Sequence, residues 1–163
     1  MISAPSDKAT DEVAVGMGQA VLALAPARLT TILGSCVAVT LYAPRRRLGM
    51  LSHVVLPQAK GSLSNPAKFA DTAVPNMLST LKNRGVEPRE LTAKLVGGAS
   101  MFGTGACAQI GASNVQAVVR ALEAAGIHIA GQDVGGTSGR RIGFDLATGC
   151  ITVTSGGRGS QTI

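Results

Sequence analysis

A chain of 163 residues, 45% of them hydrophobic, can bury one aliphatic core and is too short for two ordinary domains. Aromatic residues make up only 2% and tryptophan is absent, which removes the stacking platforms that a single-stranded nucleic-acid module needs. The net charge of +6 attracts acidic partners without naming one. Three cysteines, an odd number with no secretory apolar stretch ahead of them, argue against a disulfide framework and for a reducing, cytoplasmic setting.

In chain order, residues 1–12 are polar and read as a flexible N-terminal arm, followed by one folded domain over 13–155 and a Gly-rich flexible tail over 156–163. Short β-favouring runs follow one another from Val13 to Met17, Val21 to Leu24, Leu29 to Leu33, Val37 to Tyr42 and Leu48 to Leu56. Ala43-Pro44-Arg45-Arg46-Arg47 is a hairpin connection in which proline sets the turn. Between Pro66 and Arg84 the four-residue recurrence of Phe69, Ala73, Met77 and Leu81 predicts a helix ended by Gly85. Pro75 inside it either kinks that helix or starts a second one. Ser113 with Gln116 reads as a capping box that opens a second helix, with Val115, Val118, Val119 and Leu122 as its apolar stripe and Gly126 as its stop. Strands are predicted again at Thr92 to Val96, Ile127 to Val134, Arg141 to Leu146 and Cys150 to Thr154. Strands outnumber helices and do not alternate with them, so the fold class is α+β and not doubly wound. No apolar run is long enough to span a bilayer, so any membrane role would pass through a partner.

The inventory of reactive side chains is short. Cys36 follows Leu33-Gly34-Ser35, whose small residues permit a sharp turn and leave the thiol near its own amide N–H, the geometry of an oxyanion donor. His53 lies 17 residues later, at the far end of the strand that follows the Pro44 turn, and a hairpin of that length sets the start of one strand beside the end of the next. A thiol needs such a neighbour, because an imidazole supplies the base that makes it a nucleophile at neutral pH. The commoner situation for each residue is duller: a buried cysteine acting as a small hydrophobe, and a satisfied core or surface histidine. Cys107 in a Gly- and Ala-rich loop and Cys150 at a strand start have no histidine nearby in sequence. His128 alternates with Ile127 and Ile129 and reads as a surface residue. No CxxC or HxxxH pair suggests a metal. The glycines from Gly97 to Gly103 lack any phosphate-loop spacing and read as tight packing or a pocket wall. Arg45 to Arg47 read as a solvated turn; Arg140 and Arg141 either fix the loop after Asp133 by pairing with it or meet an acidic partner, and the structural role is the commoner one.

Together these residues resemble a known family. Leu33-Gly34-Ser35-Cys36-Val37-Ala38-Val39 followed by Leu51-Ser52-His53-Val54-Val55-Leu56-Pro57 resembles the signature of the CheD chemoreceptor glutamine deamidases. The likeness continues through Lys68-Phe69-Ala70-Asp71, Ala93 to Ala99, Ile110 to Val115, and Asp133 to Gly136 with Gly139-Arg140. One departure is Val96, where the family tends to carry an aromatic residue. The resemblance implies a three-layer fold of stacked mixed sheets with helices on one side. It implies a protein-glutamine deamidase that turns glutamines of methyl-accepting chemotaxis receptors into glutamate through a thioester, with a possible methylesterase side activity and no cofactor. It assigns catalysis to Cys36, His53 and Thr30, the last with Thr31 beside it as the other candidate, and sets Gly34 and Ser35 in the oxyanion loop. It also implies the cytoplasmic domains of chemoreceptors as protein substrate and a CheC-type phosphatase as a further partner in some members, with neither nucleic acid nor membrane insertion. The alternatives are a non-catalytic adaptor that binds receptors or a CheC-type phosphatase, and a deamidase aimed at a non-receptor protein.

Overall fold

The computed structural model describes residues 10–62, 64–101 and 103–163; most of the expected N-terminal arm, residues 1–9, lies outside them. Within the described residues the chain forms strands β1 (Glu12–Ala14), β2 (Ala20–Leu24), β3 (Arg28–Leu33), β4 (Val37–Ala43) and β5 (Leu48–Val54), then helix α1 (Ala70–Lys82). Strand β6 (Thr92–Gly97), helix α2 (Ile110–Ala124) and strands β7 (His128–Val134), β8 (Arg140–Asp145), β9 (Ile151–Ser155) and β10 (Gly159–Thr162) complete it. One five-stranded sheet has the order β1-β3-β8-β9-β10 and the other β2-β5-β4-β6-β7. Both are mixed, since β1 runs parallel to β3 and β6 parallel to β7 while the remaining pairs are antiparallel.

The period of two along each strand explains the layering. In β4, Val37, Val39, Leu41 and Ala43 face α1 and α2, whose Ala73, Val74, Met77, Leu81, Val118 and Leu122 complete that core. The intervening Ala38 and Tyr42 face the other way, onto Leu29, Leu33, Ile142, Phe144, Ile151 and Val153 of the first sheet. Every residue of β4 is buried, as expected for a central strand covered on both faces. Each fully buried leucine or phenylalanine here stabilises the fold by about 1.5–3 kcal/mol. Tyr42 and Phe144 meet edge to face in the inter-sheet core with centroids 5.7 Å apart. The Tyr42 hydroxyl donates to the Leu146 carbonyl at 2.9 Å. The α+β class, the stacked mixed sheets and the single helical layer all agree with the expectation.

One open alternative is decided by the structure, and two local expectations differ from it for a tertiary reason. Helix α1 runs through Pro75 as one helix, with the proline on its exposed side and Ala73, Val74 and Met77 buried around it. Helix α2 starts at Ile110, three residues before the apparent capping box, after a 3₁₀ turn over Ala106–Gln109. Its first turn is set by backbone contact: a Cβ on Gly111 would lie 2.5 Å from the Gly98 carbonyl, so only glycine lets the helix begin so close to the loop after β6. Residues 156–163, expected as a tail, instead turn at Gly157 and pair as β10 with β9, Gly159 opposite Ser155 and Thr162 opposite Thr152. Lys94 Nζ then donates to the carbonyls of Gly149 (2.9 Å) and Ile163 (3.0 Å) and ties the chain end to the second sheet.

Candidate active site

Register decides which side chains meet. His53 on β5 pairs with Ala38 on β4, so the two share one face of the second sheet, and Ala38 is part of the inter-sheet core. Cys36, two residues before Ala38, packs against that same core. The thiol and the imidazole therefore occupy neighbouring positions at one end of the β4–β5 ladder, on the face turned toward the first sheet. Cys36 is a free, half-buried thiol and His53 is 3% exposed. No hydrogen bond joins them, and His53 Nε2 is a buried nitrogen with no partner among the described residues.

The other side of the imidazole is held. Thr31 Oγ1 lies 2.8 Å from His53 Nδ1 and 2.6 Å from the Val15 carbonyl oxygen. A carbonyl only accepts, so the single hydroxyl proton of Thr31 goes to Val15. The contact with His53 then requires Nδ1–H to donate to Thr31 Oγ1, which fixes the tautomer and leaves the lone pair on Nε2. Thr31 thus holds the ring, whereas Thr30, the residue assigned by the resemblance, makes no hydrogen bond to it. The reason is strand parity: Leu29, Thr31 and Leu33 are the buried residues of β3 and point inward, while Thr30 and Ile32 belong to the opposite set. That alternation was legible in Leu29-Thr30-Thr31-Ile32-Leu33, and it favours Thr31.

Burial is the main electrostatic influence on both groups. It pushes the Cys36 thiol above its ordinary range. It holds the His53 imidazole below its ordinary range, with the Val15 carbonyl offsetting part of the effect. Both shifts favour the uncharged forms.

The loop that presents Cys36 is pinned at three successive carbonyls. Gly34 O accepts from Ala99 N at 3.0 Å and Cys36 O from Gly98 N at 2.8 Å. Between them Ser35 O accepts from Asn114 Nδ2 at 3.1 Å. Among the described residues the amides of Ser35 and Cys36 have no acceptor. Gly97 permits the approach: it has φ 113°, and a Cβ there would sit 2.3 Å from the Cys36 carbonyl oxygen. The glycines after β6 are thus the wall behind the cysteine. Met101 covers Gly34 from outside, 3.3 Å from where a Cβ would stand.

A cleft of about 320 Å³ opens beside the imidazole, lined by Val15, Met17, Thr30, Thr31, Ile32, His53 and Arg141 among others. Cys36 is not part of that lining, so the cleft reaches the histidine from the β1–β3 side. Met17 and Ile32 are 72% and 61% exposed, which gives the cleft an apolar rim beside the cationic Arg141. The sequence reading did not single out Met17 or Ile32, and weighed Arg141 only together with Arg140, as a loop-fixing or partner-facing charge. Asn114 appeared there only inside a motif block, with no role.

The remaining candidates stay apart from the site. Cys107 and His128 are exposed and Cys150 is half-buried. Arg140 makes a buried ion pair with Asp133 (3.0 Å) and donates to Gly135 O (2.8 Å), which holds the loop of residues 135–139. Gly136 O in turn accepts from Ser100 N at 2.8 Å. No group of three or more His, Cys, Asp or Glu among the described residues could hold a metal ion, and no helix among them is long and apolar enough to cross a membrane.

Comparison with known proteins bears on this geometry. The sequence profile of a family described as CheD chemotactic sensory transduction matches residues 54–155. A protein of Desulforamulus reducens named "Probable chemoreceptor glutamine deamidase CheD" is 41% identical over 152 residues, covering 90% of this chain and 92% of that one. The "Chemoreceptor glutamine deamidase CheD" of Thermotoga maritima is 38% identical over 148 residues, covering 90% and 94%. A Methanococcus maripaludis protein with the same name as the first is 38% identical over 144 residues, covering 87% and 94%.

Proposed function

The chain belongs to the CheD family, and on that premise we propose that it is a chemoreceptor glutamine deamidase in which Cys36 is the nucleophile and His53 the general base and acid. The observation that carries this reading is the free lone pair on His53 Nε2, buried on the same face as Cys36 while Nδ1–H is committed to Thr31. A histidine held in that tautomer is poised to take a proton from a thiol, the role an adaptor would not need.

In the proposed reaction, Cys36 Sγ attacks the side-chain amide carbon of a receptor glutamine as its proton passes to His53 Nε2. The Cys36 amide, with that of Ser35 beside it, donates to the developing oxyanion. Collapse breaks the C–N bond, and the leaving nitrogen takes the proton from the imidazolium and departs as ammonia. Water then attacks the thioester carbon, giving its proton to His53, and the C–S bond breaks with the proton returning to sulfur. The product is a glutamate side chain, and one water is consumed for each ammonia released. Thr31 orients the ring throughout and, through Nδ1–H, stabilises the imidazolium that forms in each half. A glutamyl methyl ester offers the same carbonyl, so methyl ester hydrolysis is a side reaction of the same machinery.

The net charge of +6 suits a substrate rich in glutamate, as a receptor modification region becomes after deamidation. Meeting the cytoplasmic domain of a receptor places the protein in the cytoplasm. The test is mass spectrometry of a chemoreceptor cytoplasmic fragment after incubation with the full chain, beside Cys36→Ala. Conversion of particular glutamines to glutamate by the wild type alone supports the reading. Binding of the fragment without conversion would turn it into an adaptor.

A further inference from the structure

We infer that Asn114, a side chain of α2 remote from the reacting atoms, is the positioning residue that aims the Cys36 amide at the oxyanion. The inference rests on Cys36 being the nucleophile and adds to it the origin of the oxyanion donor.

Asn114 is fully buried, on the helix side of the second sheet, whereas Cys36 and His53 face the first sheet. A primary amide nitrogen carries two protons, and Asn114 spends them on two carbonyls: Ser35 O at 3.1 Å and Val55 O at 2.9 Å. Ser35 immediately precedes the nucleophile, and Val55 lies two residues beyond the base. The β4–β5 ladder ends with Val37 opposite Val54, so beyond it this side chain bridges the two strand ends. Its Oδ1 is buried with no partner among the described residues. An unsatisfied buried acceptor is destabilising. An apolar residue would avoid that cost, so asparagine is used here for what its Nδ2 does.

That action follows from peptide planarity. Ser35 C=O and Cys36 N–H belong to one trans peptide unit and point in opposite directions. Drawing the carbonyl toward α2 turns the Cys36 N–H away from α2, to the face where the thiol and the imidazole lie. Ala99 N and Gly98 N fix the units on either side by binding Gly34 O and Cys36 O. Among the described residues Asn114 alone holds the unit that carries the nucleophile's own amide. Gly111 brings the helix close enough, its α-carbon packed against the Gly98 and Ala99 carbonyls.

The test separates thiol chemistry from oxyanion chemistry. Alkylation of Cys36 by iodoacetamide needs the thiolate and no oxyanion donor; deamidation needs both. Asn114→Ala removes both donors, and Asn114→Asp keeps the shape while removing the amide N–H groups, so the second decides the matter should the first fail to fold. Alkylation is read at Cys36 itself by peptide mass spectrometry, since Cys107 and Cys150 are also free thiols, and deamidation of a receptor fragment is then expressed per Cys36 site. We expect kcat per alkylatable site to fall by about 10- to 100-fold, KM to change little, and the rate and pH profile of alkylation to match wild type. The inference is overturned if kcat per site in a folded variant stays within about twofold of wild type, or if alkylation and deamidation fall in parallel, which would make Asn114 a purely structural support. A wild type whose Cys36 alkylates but which converts no glutamine would instead sink the deamidase reading, and this inference with it.

Discussion

The two ends of the β4–β5 hairpin are built from the same strands and satisfy opposite demands. At the turn end, Pro44–Arg46 form a 3₁₀ turn closed by Arg47 in the left-handed conformation, whose backbone N–H donates to the Pro44 carbonyl, so the turn itself is a local solution. The exposed Arg46 there meets Glu90 at 3.0 Å and the Gly85 carbonyl at 2.8 Å, so its charge and donors have partners or water. At the other end, the residue after β1, strand β3, the loop after β6 and α2 converge on Cys36 and His53, and two polar atoms stay buried without partners among the described residues. Stability alone would not keep such atoms. Of the two, His53 Nε2 lies on the face turned toward the first sheet, where the proposed chemistry uses its lone pair, while Asn114 Oδ1 lies on the helix side and accompanies the two hydrogen bonds that Nδ2 donates.

Substitutions should expose this asymmetry in graded fashion. Cys36→Ala is expected to abolish receptor deamidation, by roughly 10³-fold or more, with the thermal midpoint little changed because the thiol is only half-buried. Residual conversion by that variant in mass spectra would move the nucleophile elsewhere. His53→Gln should lower kcat by roughly 10²- to 10⁴-fold, as loss of a general base does. Thr31→Val should lower it by about 10- to 100-fold through loss of the tautomer-fixing acceptor, whereas Thr30→Val should stay within about threefold. The reverse order for the two threonines would mean that strand parity misidentifies the orienting hydroxyl.

The pH dependence sharpens the same contrast. Burial lowers the His53 pKa, so the unfolded chain takes up a proton at a pH where the folded one does not, and stability falls as pH drops below about 6.5. Burial raises the Cys36 pKa, so the unfolded thiol ionises first, and stability declines as pH rises past the ordinary cysteine value. Denaturant titrations across pH should show both slopes reduced in the respective His53→Gln and Cys36→Ala proteins. The acid limb of kcat/KM should likewise lie below the ordinary histidine value. The smallest effect is predicted at the turn: Arg46→Ala breaks an exposed pair and should leave both deamidation and the melting midpoint within error of wild type.

What the sequence determined by itself was whatever depends on near neighbours. Alternation of apolar residues placed nearly every strand to within a residue or two, and the four-residue recurrence placed α1. Cys36 and His53 stood out because a thiol after small residues and an imidazole one hairpin later form a pattern contained in a short stretch. Parity in Leu29-Thr30-Thr31-Ile32-Leu33 even carried the answer to which threonine turns inward. Tertiary structure decided the rest. Strand β10 forms because β9 offers it an edge, which no composition of glycine and serine announces. Helix α2 begins where Gly111 can touch the loop after β6, and that contact overrides the capping signal at Ser113. The tautomer of His53 and the aim of the Cys36 amide depend on Val15, Thr31 and Asn114, groups 38, 22 and 61 residues from His53 along the chain. A hydrogen bond acts over about 3 Å of space, whatever the separation in sequence, so the atoms that tune the site become visible only when the chain is folded.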